Sequence, residues 1–566
     1  MRKNNTFRRA AALMAALSIT VSLAAPAFAD TYYIDYGDIT ITKNEDGSQT
    51  IKQGGEEWTD KAGEETVITT SNTVITTLES DLESPAAEDS DFGPVVEDNY
   101  QPAQPEDAEE SEDADQPEIA EEPKSADRQE SADQQAAPAA APADTTPVNP
   151  KDDGFWGNTI TVINNIADKV LNLTLKDVKI DVSDTGGDNF EFEDDQIGKA
   201  ALSVEGKGNV EIELDGNNEL KSGASKAGLE KTSTGKLTLK DDNNEAGSLT
   251  ATGGASAAGI GGGFQGKGEN ITITGGTVDA TGGYGSAGIG GGNGGVGKNI
   301  TITGGTVTAA GGFGNAGIGG GNGSDGENIT ITGGSVTATG GEFAAGIGGS
   351  NGGSGNNITI KGGTVTATGG EGGAGIGGGA EGGGGNNITI KGGTVTATGG
   401  GYRGNSGAGI GGGSSGSGEN ITINDGKVTA TGGNYAAGIG GGSVGAWGGD
   451  AGSGKNITIN GGTVNATGTD GGAGIGGGEN GNGEDITING GKVNASGAYG
   501  GAGIGGGVNG IGSKVTVSGA AQVTATATGS GPHCRGAARV LPSVTAAVRR
   551  RMDLSTARRS RQTSAT

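Results

Sequence analysis

The sequence predicts an all-β chain built around a parallel β-helix, a solenoid of about 12 coils, and three observations carry that prediction. First, a tetrapeptide of the type Asn-Ile-Thr-Ile starts at Asn270, Asn299, Asn328, Asn357, Asn387, Asn420 and Asn456. It continues in variant form at Asp485 and Lys514, with successive spacings of 29, 29, 29, 30, 33, 36, 29 and 29 residues. Second, Ala-Gly-Ile-Gly recurs nine times from Ala258 to Ala502, and Gly-Gly-Thr-Val-Thr-Ala-Thr or a variant of it lies between the two markers. Each unit therefore holds three short segments of period two separated by Gly-rich corners, which is the pattern of one coil of a parallel β-helix. Third, 124 of the 566 residues are Gly, while hydrophobic residues make up 31% and aromatic residues 4%. Such a chain cannot fill one large core and must work with thin repeated layers.

Within a unit the alternation assigns every residue a side. In the unit from Asn270, Ile271, Ile273, Val278, Ala280 and Ile289 point inward, and Thr272, Thr277 and Thr281 point outward. A lone coil buries too few branched side chains to offset its ordering entropy. Stacked coils offset it together, because each strand's amides pair with the coils on either side. The recurrent Asn then forms an amide ladder, a reading preferred to glycosylation at Asn-Ile-Thr because its register never shifts. Degenerate coils precede the regular array: Val210 to Leu214, Ala227-Gly228-Leu229 and Leu237-Thr238-Leu239 fill the earlier slots, with Leu171 to Val182 and Ala201-Leu202 before them. The whole rod is expected to be about 55–60 Å long at the strand spacing.

The rest of the chain divides by charge. Residues 1–29 read as an export signal, with Arg2, Lys3, Arg8 and Arg9, an apolar run from Ala10 to Val21, and Ala27-Phe28-Ala29 before Asp30. Residues 30–78 form a short β-rich segment: Ile39-Thr40-Ile41 and Thr50-Ile51 flank the turn at Asp46-Gly47, and Val67-Ile68 and Val74-Ile75 add two strands. Residues 79–150 hold 22 acidic side chains against Lys124 and Arg128, and 10 of the 13 prolines, so they are expected to be a disordered acidic linker. Residues 151–530 carry the β-helix. Residues 531–566 are basic, with eight Arg, and hold Cys534 and His533, the only Cys and His of the chain. This tail reads as disordered or as the product of a frame shift near Gly531.

These numbers exclude several functions. A net charge of −30 disfavours a nucleic-acid or anionic-membrane partner. A single Cys and a single His exclude a disulfide framework, a Cys/His zinc site and a His-based triad from the main body. Between residues 250 and 530 only 14 acidic and 9 basic side chains are spread over 281 residues, so clustered acid–base catalysis is not expected. The glycine pattern at Gly261 to Gly266 lacks the following helix that a dinucleotide site needs. Outward Thr rows suggest an ice-binding face, but Asp279, Lys427, Asn465 and Lys492 interrupt them.

Two candidate sites remain. Asp188, Glu191, Glu193, Asp194 and Asp195 form an oxygen-rich loop suited to Ca²⁺. Just ahead of the Ala-Gly-Ile-Gly marker stand Tyr284, Phe313, Phe343, Tyr402, Tyr435 and Tyr499, with Glu371 and Asp470 in the slots that lack a ring. Placed at one corner of successive coils, these rings would form a ladder on which the apolar faces of a glycan could stack. Rings that merely shield a corner of the core are the alternative.

Residues of about 155–530 resemble a clostridial family of surface carbohydrate-binding β-helix proteins related to pectate lyases. The resemblance lies in Val210-Glu211-Ile212-Glu213-Leu214-Asp215-Gly216-Asn217-Asn218-Glu219-Leu220-Lys221-Ser222-Gly223, Ala227-Gly228-Leu229-Glu230, Leu249-Thr250-Ala251-Thr252-Gly253-Gly254 and Ala258-Gly259-Ile260-Gly261-Gly262-Gly263. It implies a right-handed, non-catalytic β-helix that binds an acidic plant polysaccharide such as polygalacturonate with the help of Ca²⁺. The expectation is thus a secreted, cell-surface polysaccharide binder without enzymatic activity, and the alternative is a structural or adhesive stalk that binds proteins.

Overall fold

The computed structural model describes residues 30–63, 65–70, 154–187, 196–243, 245–402, 404–444 and 450–528, with strand pieces at 544–545 and 550–551. All of these belong to one compact unit, and the second unit, Asn72–Ala137, lies outside the described residues.

The chain is a parallel β-solenoid, and each regular coil contributes three strands. In the coil that follows Ile260 these are Gly268–Ile273, Thr277–Thr281 and Ile289–Gly290, here called the Asn, Thr and Ile-Gly faces. Each strand pairs in parallel with its counterpart one repeat on: Ile271 with Ile300, Val278 with Val307 and Ile289 with Ile318. The register holds through the insertions, as Ile390 pairs with Ile423 and Val428 with Val464. On the Ile-Gly face, strands from Ile160–Asn164 to Ile504–Gly505 stack into a 15-stranded sheet that includes three N-terminal strands. The remaining twelve enclose eleven full turns. The inward set is as expected: Ile271, Ile273, Val278, Ala280 and Ile289 are fully buried, while Thr277 and Thr281 are exposed and Thr272 is half-buried.

The Asn column explains both its residue type and its repetition. Asn270, Asn299, Asn328, Asn357, Asn387, Asn420 and Asn456 all sit in the left-handed region, with φ between 53° and 58°. Asn tolerates this conformation better than other residues with a β-carbon. From that backbone the side-chain amides from Asn299 onward each donate to the amide oxygen one coil earlier, at 2.9 Å for Asn299 to Asn270 and 3.1 Å for Asn328 to Asn299 and Asn357 to Asn328, while Asn270 donates to the Thr234 carbonyl. The ladder ends where Asp485 follows, because a carboxylate cannot donate in turn. Asp485 instead pairs with Lys514 at 3.2 Å.

Residues 30–70 are more closely joined to the rod than their position in the sequence suggests. Ile39–Lys43, Gln49–Gln53 and Glu56–Asp60 form an antiparallel meander, with the expected hairpin at Asp46-Gly47. Its first strand pairs in parallel with the first coil, Ile39 with Ile160 and Ile41 with Val162. Thr66–Thr69 pairs with Leu173–Lys176, and Asp30–Tyr33 covers Thr66–Thr69 in turn. Ile39, Ile41, Ile51 and Ile68 are fully buried in the same core as Ile160 and Leu173. The β-rich segment is therefore the N-terminal cap of the rod: on the Ile-Gly face its meander replaces parallel by antiparallel pairing, while on the Asn face Asp30–Tyr33 ends the stack as a further parallel strand. Val74-Ile75, the last strand expected there, lies outside the described residues. At the other end Val544–Thr545 and Arg550–Arg551 pair antiparallel with the last coil.

Two predictions follow from these contacts. Asn357→Ala loses the ladder bonds on both sides and the residue type suited to φ > 0, and is expected to destabilise its coil by about 1–3 kcal/mol. Asn357→Gly, which keeps the backbone option, should cost less; amide hydrogen exchange of Thr359 and Ile360 reads both, and equal costs would show that φ is not a constraint. In the cap, burial pushes the Asp60 carboxyl up to about 6, although Thr66 and Tyr32 donate to it at 2.5 and 2.6 Å. A carboxyl raised above its unfolded value favours folding most at low pH. Cap stability should therefore fall as pH rises from about 4 through 6. Exchange protection in Ile39–Lys43 should follow that trend, and Asp60→Asn should flatten it.

Candidate functional site

The Ile-Gly strand is only two residues long, so the corners before and after it lie close together. The loop after it donates backbone N–H groups to the loop before it one coil earlier. Asn293 bonds Ser256 at 3.1 Å, Asn351 bonds Gly314 at 2.9 Å, Ala380 bonds Phe343 at 2.8 Å and Glu479 bonds Tyr435 at 2.7 Å. These bonds zip the two corners into a seam along the rod. The six rings singled out from the sequence all lie on the first of these loops.

Their exposure is high. Tyr284 is 53% exposed, Phe313 46%, Tyr402 51%, Tyr435 37% and Tyr499 60%, and Phe343 is half-buried. They do not form one uniform ladder. Tyr284 and Phe313 stack face to face with centroids 5.4 Å apart and planes 4° apart. Phe343 meets Phe313 edge-on at 5.8 Å and 82°. In this N-terminal trio, ring faces are partly spent on one another.

The other three rings are set differently. Tyr402 rides on a small antiparallel hairpin, Gly401–Tyr402 with Asn405–Ser406, which accounts for the longer spacing before Asn420. Tyr435 has φ = 65° and Phe343 has φ = 70°, in the slot where other coils place Gly285, Gly314 and Gly372. Tyr499, one slot earlier in its loop, has φ = 46°. A bulky residue in this region carries a conformational cost, and such outliers concentrate where a side chain is used.

The acidic loop Asp188, Glu191, Glu193, Asp194 and Asp195 lies outside the described residues. Among the described residues no group of three or more His, Cys, Asp or Glu is arranged to hold a metal ion, and no helix is long and apolar enough to cross a membrane.

The structure also brings together charges that the repeat pattern did not single out. Glu213 is almost fully buried, which raises its carboxyl, and it pairs with Lys240 at 3.1 Å. It also accepts backbone N–H bonds from Asp242 and Asn243 at 2.9 and 3.2 Å. Asp215, two residues on along the same strand, is raised by burial as well and accepts from the Asn243 amide at 2.7 Å. On the Ile-Gly face, burial lowers the Lys231 ammonium to about 8, and its Nζ donates to the Ser233 carbonyl at 2.6 Å. The one sequence signal was departure from the repeat: Glu230 pairs with Gly261 in a column that is otherwise Gly in the later coils. Of these groups, Glu213 and Lys240 neutralise each other where irregular coils meet the regular array.

Nine segments between residues 245 and 508 match the family model described as Beta helix repeat: 245–264, 271–293, 300–322, 329–353, 358–380, 388–414, 421–443, 457–479 and 486–508. By sequence as well as by structure, these are β-helix repeats. Each matched segment from the second to the last runs from the first Ile on the Asn face, through the Thr face, to the Ile-Gly face and the seam, and so contains one ring slot. Neither the curated proteins nor the solved structures contain a significant match to the chain.

Proposed function

We propose that the chain is a secreted, cell-surface protein whose β-helix repeats bind an extracellular polysaccharide without cleaving it. The observation that carries this reading is the row of exposed rings along one corner of the rod. A rigid stack of coils holds Tyr402, Tyr435 and Tyr499 at fixed heights, 37–60% exposed, and so spends little entropy when a sugar face settles on them. The outward Thr residues beside the corner add hydroxyls that suit a neutral or acidic glycan. The resemblance of residues 155–530 to surface carbohydrate-binding β-helices favours a pectin-like, polygalacturonate-type ligand. Ca²⁺ bridging by the loop from Asp188 to Asp195 is part of the same proposal, as is export directed by residues 1–29. Absence of catalysis rests on the sparse, dispersed charges of the repeats.

A second reading, a structural or adhesive stalk with protein partners, draws on one specific observation: Tyr284 and Phe313 stack on each other, as rings do when they protect a corner. Retention of the full chain on polygalacturonate, cellulose and xylan, with Ca²⁺ and with chelator, distinguishes the two when uronate release is followed in parallel. Binding without uronate release is expected, and Tyr402→Ala with Tyr435→Ala should weaken it at least about tenfold, the loss of two stacking platforms. Retention on none of the polymers would leave the stalk as the better account, and release of uronate would overturn the non-catalytic reading.

A further inference from the structure

The N-terminal cap and the coil it covers are far apart in the chain. Residue 70 ends the described cap and residue 154 begins the rod, so residues 71–153 connect two halves of one interface. That connection has a contour of up to about 270–300 Å, far more than is needed to join neighbouring strands of one sheet. The cap is thus held by its contacts and not by its covalent link.

Those contacts are specific and directional. Gln49 clamps the Asn172 backbone from both sides, Nε2 donating to its carbonyl and Oε1 accepting from its N–H, each at 3.1 Å. Asn158 donates to the Ile34 carbonyl at 2.9 Å, the Thr159 N–H donates to Asp38 at 2.7 Å, and the Thr174 hydroxyl donates to Glu65. Two parallel strand pairings and the isoleucines Ile39, Ile41 and Ile68 complete the joint. A second copy presents the same surface. A tether much longer than the gap it bridges lowers the effective concentration of the cap at its own rod, and exchange of an identical element between protomers then forms every contact of the closed monomer.

We propose that the cap, residues 30–70, seats on the first coil of a second copy as well as on its own, and that this exchange links rods into dimers through their N-terminal ends. The partner is another molecule of this chain, recognised through the Gln49, Asn158 and Thr159 contacts and the parallel edge at Ile160–Ile163 and Leu173–Lys176. The uncovered edge explains why the site is kept occupied: a bare parallel edge backed by Ile160, Val162, Leu171 and Leu173 would pair with any available strand.

The test uses full-length chains carrying Cys534→Ser. One preparation carries Asp38→Cys and the other Thr159→Cys, and the two are mixed as folded proteins under mild oxidant. A disulfide-linked heterodimer is expected, its yield rising about in proportion to total concentration in the dilute range. The double variant in a single chain should close internally and calibrates the geometry; Glu65→Cys with Thr174→Cys serves as a second pair in case the first cannot close. Internal closure in a double variant without heterodimer from the mixed single variants would overturn the proposal. Disulfide dimers formed to the same extent by either single variant alone would also overturn it, by showing that the thiols meet through another surface such as the last coil.

Discussion

Everything in the rod depends on how closely two successive coils approach at the Ile-Gly face. Gly290 has φ = 140°, and a β-carbon there would overlap the Gly319 carbonyl of the next coil. In the regular coils no side chain can occupy that column, and the strand that carries it is two residues long, with the chain turning sharply on either side. The corners then fold against each other as a seam, and the other two faces come into register at one strand spacing. Glycine abundance, which at first reads as a shortage of core, is what allows identical coils to stack closely enough for Ile289 to meet Ile318.

Register then repeats every local feature along the axis. One Asn in the left-handed region becomes an amide ladder, one Ile becomes a column of the core, and one aromatic residue at a corner becomes a row. Insertions are confined to the corners: the hairpin at Gly401–Tyr402 lengthens its unit without moving Val395 off Val428. Function can therefore vary at the corner while the faces stay fixed, and it is at the corner that the rings stand.

The regular coils could be read from the sequence almost residue by residue, because each carries both a strict alternation and a fixed period. The inward and outward sets and the Asn ladder needed nothing more. Other features depended on geometry that a linear pattern does not carry. The pairing of Thr66–Thr69 with Leu173–Lys176 joins segments separated by the acidic linker, and nothing local in either strand names its partner. Whether two corner rings stack face to face or meet edge-on turns on a shift of one slot, as between the Tyr284–Phe313 and Phe313–Phe343 pairs. Likewise Glu213 and Lys240 lie on strands of adjacent irregular coils, where no repeat marks their meeting.

Removing one whole coil tests the stacking account most directly. Deletion of residues 299–327 joins Lys298 to Asn328 and restores Gly-Lys-Asn-Ile-Thr-Ile, so every column closes over a gap of a single repeat. Small-angle scattering and urea unfolding of that variant should report a folded, cooperative rod shorter by about 4.8 Å. Deleting only residues 299–312, which breaks the register, should give an expanded or aggregated chain. Equal tolerance of both deletions, or collapse of the whole-coil variant, would contradict the account.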